Sequence, residues 1–289
     1  MVSPHYDKPP YEALVAGWKS LRTTPPIIVR ELAGESGPAL LQADWGDPAL
    51  PAVHIAAGVH GDEPVGPWAL LALIRSGLLD QRFRYRFWPC TNPTGYVAGS
   101  RTNAQGADIN RSFSEDGLTW EARLIIHTTN ERTTNEKMND ARRYVLALDL
   151  HEDYEADGFY CYEPNIPDLG GAPYSRAILD AIEDAGFPLQ TLDHLYDLGY
   201  PSDPQIAAQM RTLERGRVLV NPSAEMRHFR GLPLSLFLLR TAADRYVTLE
   251  TPRTRAWEER IAMHCIAVTV SLAQAADFLP RRESGYAGA

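Results

Sequence analysis

The segment His60-Gly61-Asp62-Glu63 carries two side chains that could bind one metal ion. It directly follows the apolar run from Val53 to Val59 and precedes a segment with helical periodicity. In a parallel or mixed sheet, functional sites are built at the carboxyl ends of the strands, where such a turn would lie. Zinc accepts imidazole nitrogen and carboxylate oxygen at roughly 2.0–2.2 Å. Because two residues at this spacing often occur by chance, the segment alone predicts only part of a metal site.

His151 supplies the missing part, because it ends a second apolar run from Tyr144 to Leu150. A single histidine is more often a hydrogen-bonded structural residue than a metal ligand. Two histidines at two strand ends, one of them with a carboxylate three residues later, favour a shared ion. The set His60, Glu63 and His151 would leave the fourth position of a zinc ion open to water, as catalytic zinc sites require.

A loop in the middle of the chain carries residues that could bind a carboxylate. The sequence Asn92-Pro93-Thr94-Gly95 predicts a turn that opens this loop, and the string Asp108-Ile109-Asn110-Arg111 lies further along it. A guanidinium such as that of Arg111 can bind a carboxylate through two parallel hydrogen bonds, and the amide of Asn110 can add a donor. The loop therefore predicts a clamp for a substrate carboxylate.

Glu250 closes the apolar run that begins at Tyr246. Taken alone, a glutamate at a strand end is usually structural or exposed. Beside a metal site, its carboxylate could accept a proton from the attacking water and pass it to a leaving amine. Glu250 is therefore the candidate general base and acid.

The elements that must position these residues follow the pattern of an α/β protein, in which short β-rich runs alternate with longer amphipathic segments. The runs predict strands at 26–32, 39–44, 53–59, 85–90, 144–150, 159–162, 217–220 and 246–250. The periodicity predicts helices at 64–79, 119–140, 174–185, 234–243 and 256–278. We predict one α/β domain over residues 1–280, with a central mixed, mostly parallel β-sheet flanked by helices. We expect 186–232 to be an irregular elaboration on the substrate side and 281–289 to be a flexible tail.

Composition narrows the class of protein. A net charge of −9 argues against nucleic acid as a partner, because binding phosphate needs clustered positive charge. No apolar run approaches the roughly 20 residues that cross a bilayer, and the N-terminus lacks the pattern of a signal peptide. Three scattered cysteines indicate neither a disulfide framework nor a cysteine zinc site. We expect a cytoplasmic protein that binds neither nucleic acid nor membrane.

The order of these motifs resembles the zinc carboxypeptidase family: H-x-x-E at His60, then an arginine at Arg101, then Asn-Arg at Asn110, then His151, then Glu250. The strings N-P-x-G, R-x-N-x-x-G-x-D-x-N-R and E-T-P are similar to those of its compact bacterial branch, which includes the murein peptide amidases. The match spans residues 53 to 252. The resemblance implies a zinc carboxypeptidase-like fold, one zinc ion per chain, and hydrolysis of a peptide or amide bond next to a substrate carboxylate.

The resemblance also implies roles for individual residues. The zinc ligands would be His60, Glu63 and His151, and Asp108 matches a residue that orients the first zinc histidine, as carboxylates around metal sites commonly do.

On the substrate side of the zinc, Glu250 matches the general base and acid, and Arg101 is similar to the arginine that stabilises the oxyanion. Asn110 and Arg111 match the carboxylate clamp.

Two alternatives remain open at this point. The related succinylglutamate desuccinylase and aspartoacylase group shares H-G-x-E, D-x-N-R and D-L-H, so an N-acyl amino acid deacylase is the second hypothesis, although Thr248 to Pro252 is more similar to the carboxypeptidases. A non-catalytic metal-binding protein of the same fold is the third. Larger carboxypeptidases place a tyrosine shortly before the catalytic glutamate. Here no tyrosine lies between Tyr200 and Tyr246, so this residue is either absent or supplied from elsewhere, with Tyr196 and Tyr200 as the candidates. The expected partner is a small peptide or acyl amino acid with a free carboxylate; the oligomeric state is open.

Overall fold

Nine strands form one mixed sheet in the computed structural model, which describes residues 8–34, 37–114, 117–134, 143–165, 174–191 and 211–279. The strands are β1 Ile28–Leu32, β2 Leu40–Trp45, β3 Ala52–Ala57, β4 Arg84–Trp88, β5 Tyr144–Asp153, β6 Tyr160–Pro164, β7 Arg211–Glu214, β8 Arg217–Val220 and β9 Tyr246–Pro252. Their spatial order is β1-β2-β4-β3-β5-β9-β6-β8-β7.

Parallel pairing is concentrated in the centre of the sheet. Strands β4, β3, β5 and β9 pair in parallel, whereas β1–β2, β2–β4, β6–β9 and β7–β8 are antiparallel, and β6–β8 is parallel. The carboxyl ends of β3, β5 and β9 therefore meet at one edge of the sheet. The predicted α/β domain with a mixed sheet flanked by helices is confirmed.

Helices cover both faces of the sheet. They are α1 Tyr11–Lys19, α2 Val65–Arg75, α3 Pro93–Ala98, α4 Trp120–Thr134, α5 Tyr174–Asp184, α6 Pro222–His228, α7 Leu234–Thr241 and α8 Trp257–Asp277. One core lies beneath α1, α2, α5 and α8, and a second lies beneath α4 and α7. Within the described residues, no helix is both long and apolar enough to span a membrane.

The alternation of side chains along β5 explains why the site lies on one face of the sheet. Leu146, Leu148 and Leu150 belong to the first core. Because neighbouring side chains in a strand point to opposite faces, Asp149 and His151 face the second layer of helices. The sequence of β9 alternates in the same way, with Val247 and Leu249 in the first core and Glu250 on the other face.

Several predicted boundaries were wrong. Strand β5 does not end at Leu150 but continues to Asp153, and Asn92 caps helix α3 instead of opening a loop. Helix α2 ends at Arg75, and the strand β7 and the short helices α1 and α6 were not predicted. These elements are too short to show a clear hydrophobic period.

The segment 186–232 is more regular than expected where it is described. Strands β7 and β8 extend the edge of the sheet beside β6, and α6 follows them. Residues 192–210 of this segment lie outside the described part of the chain, as do 135–140 of the helix predicted at 119–140 and the predicted tail at 281–289.

Asp44 joins three strands at the β1 side of the sheet. Its carboxylate lies 2.6 Å from Nη1 of Arg30 on β1 and 2.9 Å from Nε of Arg86 on β4. Burial opposes ionisation of Asp44, but the hydrogen bonds and charges of Arg86 and Arg30 outweigh it and hold the pKa of Asp44 below its usual range.

We expect Asp44→Asn to lower the thermal unfolding temperature at about pH 7 and to matter less in acid. A depressed pKa contributes stability that is present above the unfolded value of about 3.9 and is lost as the pH falls through the folded-state pKa. The unfolding temperatures of the parent and of Asp44→Asn, measured from about pH 7 down into the acid range, give the difference between the two proteins. A difference that does not change with pH would contradict the assignment.

Candidate metal centre

Three side chains converge at the carboxyl edge of the central strands. His60 and Glu63 lie in the turn between β3 and α2, and His151 lies on β5. Nδ1 of His60 is 2.6 Å from Oε1 of Glu63, and Nδ1 of His151 is 2.9 Å from Oε2 of the same carboxylate. One ligand atom from each of the three residues lies within 4.8 Å of the others, and all three residues are buried. The structure thus brings together the three predicted ligands.

Each histidine has a carboxylate at its other ring nitrogen. Oδ1 of Asp108 lies 3.5 Å from Nε2 of His60, and Oδ2 of Asp149 lies 3.0 Å from Nε2 of His151. Carboxylates in such places fix the orientation of metal-binding imidazoles and leave the opposite nitrogen for the metal. The sequence analysis singled out Asp108 but missed Asp149, although Asp149 precedes His151 by two residues and shares its face of β5.

The electrostatics of the cluster favour a bound cation. Burial would raise the pKa of Glu63, but the charges and hydrogen bonds of His60 and His151 hold it below its usual range. Burial would lower the pKa of His151, but Asp149, Glu63 and Glu250 raise it well above the ordinary value. Two nitrogen donors and one carboxylate, ringed by further carboxylates, fit a divalent metal of the zinc type.

Arg101 lies beside the cluster and is held there by Asp108. Its Nε and Nη2 atoms are 3.2 Å and 3.1 Å from Oδ2 of Asp108, and its Nη1 is 3.4 Å from Nδ1 of His60. Burial opposes a low pKa for Asp108, but the hydrogen bond with His60 and the charges of Arg101 and Arg111 keep it below the usual range. This ionised carboxylate fixes the guanidinium at the rim of the metal centre.

Asn110 and Arg111 lie in a short 3₁₀ turn, Ile109–Arg111, that lines the same pocket. The backbone N–H of Leu234 donates to Oδ1 of Asn110 at 2.9 Å, so the amide nitrogen of Asn110 is the end left to donate to a ligand. Arg111 stacks on Phe229, with Cζ 4.8 Å from the ring centroid, and its Nη1 donates to the carbonyl of Asn110.

Glu250 faces the centre from the neighbouring strand. It stands opposite His151 in the parallel register of β5 and β9, is 8% exposed, and lines the pocket. Burial raises the pKa of Glu250 well above its ordinary value; His151 opposes this shift, and Glu63, Asp153 and Asp149 add to it. A carboxyl with a raised pKa can both take and return a proton near neutral pH.

The rest of the pocket is rich in tyrosine. Its wall includes Tyr154, Tyr160, Tyr162 and Tyr246, and the hydroxyl of Tyr160 donates to Asp153 at 2.8 Å. None of these tyrosines was singled out from the sequence, and Tyr196 and Tyr200, the two that were considered, lie outside the described residues.

The specific pairing of Glu152 with Arg260 was not predicted either. Both are almost completely buried, and Arg260 on α8 donates to the carboxylate of Glu152. A sequence signal for this pair is weak, because Arg260 lies more than a hundred residues further along the chain.

The turn that carries His60 and Glu63 packs backbone to backbone against α3. A Cβ atom on Gly61 would lie 1.9 Å from the carbonyl carbon of Gly95 and 2.2 Å from the nitrogen of Tyr96. The two glycines of the motifs H-G-x-E and N-P-x-G therefore face each other, and this contact sets the position of the turn.

Comparison with known proteins supports the fold. A candidate metallopeptidase from Shewanella denitrificans OS217 is similar in fold, with a TM-score of 0.70 and 23% identity over 92% of this chain and 90% of that one. Carboxypeptidase A from Helicoverpa armigera gives a TM-score of 0.58 and 16% identity over 93% and 72%. Carboxypeptidase SOL1 from Arabidopsis thaliana is 26% identical over 114 residues, which are 36% of this chain but only 23% of that protein.

The fold and the His-Glu-His cluster define a carboxypeptidase-like α/β domain with a site that fits a metal ion. The model of the succinylglutamate desuccinylase/aspartoacylase catalytic domain matches residues 49–239, well over half of the 289. The chain belongs to this hydrolase family.

Gly61→Ala tests the packing of the turn. We expect a loss of stability of roughly 1–3 kcal/mol, toward the upper end because backbone lies on both sides of the new methyl group. The displaced turn should also weaken binding of zinc, measured by competition with a chelator. Gly17→Ala in α1 is the control, because its methyl group would meet side-chain atoms of Leu71 and Arg75 and no backbone. Unchanged stability and zinc affinity in Gly61→Ala would refute the contact.

Proposed function

We propose that the protein is a zinc-dependent hydrolase that cleaves a peptide or amide bond next to a substrate carboxylate, as a metallocarboxypeptidase or peptide amidase. The observation that carries the proposal is the convergence of His60, Glu63 and His151, with Glu250 directly opposite His151 on the next strand. Zinc fits the two imidazoles and one carboxylate, and when bound in such a set it supplies a Lewis acid and a nucleophile at neutral pH.

The protein's own side chains would then transfer the proton, stabilise the developing charge and hold the substrate. Glu250 takes a proton from the attacking water and returns it to the leaving nitrogen. Arg101, fixed by Asp108, donates to the oxygen on which negative charge develops. Asn110 and Arg111 hold the substrate carboxylate, so that the neighbouring carbonyl reaches the metal centre in a productive orientation.

An N-acyl amino acid deacylase is the second candidate, and the family match favours it specifically. The same residues would serve both reactions, since each substrate presents an amide near a free carboxylate. Zinc content, together with turnover of short peptides, muropeptides and N-acyl amino acids, separates the two. Stoichiometric zinc without turnover of any amide would instead support the third hypothesis, a non-catalytic metal-binding protein.

The proposed setting is the cytoplasm, with a small substrate and neither nucleic acid nor membrane as a partner. The free thiols of Cys90, Cys161 and Cys265 are compatible with a reducing compartment.

Glu250→Gln should lower kcat by about 10²–10⁴-fold, because the amide cannot carry the proton that the carboxyl group transfers. Zinc should stay bound, since the three ligands are unchanged, and metal analysis of the purified variant checks this. Glu258→Gln, at an exposed position in the first turn of α8, is the matched control and should behave like the parent. Normal turnover in Glu250→Gln would refute the assignment of the base.

Arg111→Ala should raise KM for a substrate with a free carboxylate by roughly 10- to 100-fold, the effect of losing charge-assisted hydrogen bonds worth about 1.5–3 kcal/mol. Steady-state kinetics on the free acid and on its amide measure this, because the parent should already bind the amide poorly. Arg230→Ala, exposed and away from the pocket, is the control. If the parent hydrolysed acid and amide equally well, there would be no clamp.

A further inference from the structure

Glu152 makes two separate contacts with the turn that carries His60 and Glu63. Its backbone N–H donates to Oε2 of Glu63 at 3.1 Å. Its side-chain Oε2 accepts the N–H of Val65, the first residue of α2, at 2.7 Å. Because Glu152 directly follows His151, a single residue connects the segment with one ligand to the segment with the other two.

The other oxygen of this carboxylate is held by α8. Nη1 of Arg260 donates to Oε1 of Glu152, and the two side chains are 1% and 0% exposed, respectively. Arg260 is itself packed near Trp257, with Cζ 5.6 Å from the ring centroid. The side chain of Glu152 therefore has both oxygens occupied and is fixed between α2 and α8.

A buried ion pair is weak evidence for a contribution to stability, because the cost of removing two charges from water can exceed their attraction. The contacts of Glu152 and Arg260 bear instead on the positions of the candidate metal ligands. The carboxylate of Glu63 must be held between two histidines. The backbone N–H of Glu152 holds one oxygen of that carboxylate, and the side chain of Glu152 binds the first residue of α2, where the turn with Glu63 ends.

We propose that Glu152 and Arg260 are positioning residues that set the orientation of Glu63 and thereby the metal affinity of the centre. This inference rests on the proposed metal site. Neither residue is a metal ligand or a proton carrier in the proposal; each acts through Glu63.

The chain offers a matched control in Glu163, another buried carboxylate that holds the start of a helix. Glu163 accepts the N–H groups of Tyr174 and Ser175 at 2.8 Å and 3.2 Å at the beginning of α5. It does not line the pocket. Glu163→Gln should therefore lower stability as a disturbed helix start does and leave metal binding unchanged.

The test measures the dissociation constant of Zn²⁺ by competition with a chelator, and the unfolding temperature of each metal-free protein. Glu152→Gln should raise the Zn²⁺ dissociation constant by about 10- to 100-fold, as loss of partners around metal ligands typically does. Arg260→Met is more decisive. If Arg260 acted only through its charge, removing that buried positive charge should tighten binding of Zn²⁺. If Arg260 positions Glu152, removing it should weaken binding of Zn²⁺. Arg260→Lys, which keeps a cation beside Glu152, should retain more affinity than Arg260→Met.

Either of two results would overturn the inference while the parent still binds Zn²⁺. One is that binding is not weakened, seen as a dissociation constant within about twofold of the parent in both Glu152→Gln and Arg260→Met, or as a lower one in Arg260→Met. The other is a loss of affinity in Glu163→Gln as large as in Glu152→Gln, which would show a general effect of helix disturbance. If Glu152→Gln does not fold, the two Arg260 variants decide. A parent that does not bind Zn²⁺ would overturn the proposed function and this inference with it.

Discussion

Two imidazole nitrogens directed at one buried carboxylate are the arrangement on which the rest of this structure depends. Glu63 lies between His60 and His151, and Asp108 and Asp149 lie behind the two rings. So many carboxylates in a buried space repel one another and raise the cost of folding. A divalent cation at the point where the ligand atoms meet would offset this repulsion, which is why the cluster is best understood as a metal centre.

The sheet fixes the relative positions of the residues in this centre. Parallel pairing of β3, β5 and β9 brings their carboxyl ends to one edge, and the register sets Glu250 opposite His151. The turn after β3 is then held from two sides, by the contact of Gly61 with α3 and by Glu152. Catalytic groups placed on strands and on a closely packed turn keep their geometry better than groups on free loops.

The sequence was sufficient for the fold class and for the residues that meet at the centre, because ligand chemistry and strand ends leave a pattern that is local in the chain. Asp108 could be singled out because it belongs to a motif. Asp149 lies in an apparently apolar run, and predicting its role requires the alternation of side chains along β5. The pair of Glu152 and Arg260 could not be predicted, because it forms only when α8 packs on the sheet. Strand β7 and helices α1 and α6 were missed because short elements owe their conformation to packing.

In the proposed function, the choice between a peptide substrate and an N-acyl amino acid would depend on residues other than those that carry out the chemistry. The family match to residues 49–239 contains the three candidate ligands and the Asn110–Arg111 clamp, and it ends before the strand that carries Glu250. A shared metal set and a shared clamp cannot distinguish two substrates that both offer an amide near a carboxylate. The pocket wall also contains side chains outside the metal centre and the proposed clamp, among them Val220 at the end of β8, Glu225 on α6 and Leu236 on α7, and these are candidates for distinguishing the two substrates. None of these three residues lies on β3, β5 or β9, so a substitution at any of them would leave unchanged the strands that hold His151 and Glu250. Similarity to solved structures at 23% identity or below shows the fold and does not by itself assign a substrate.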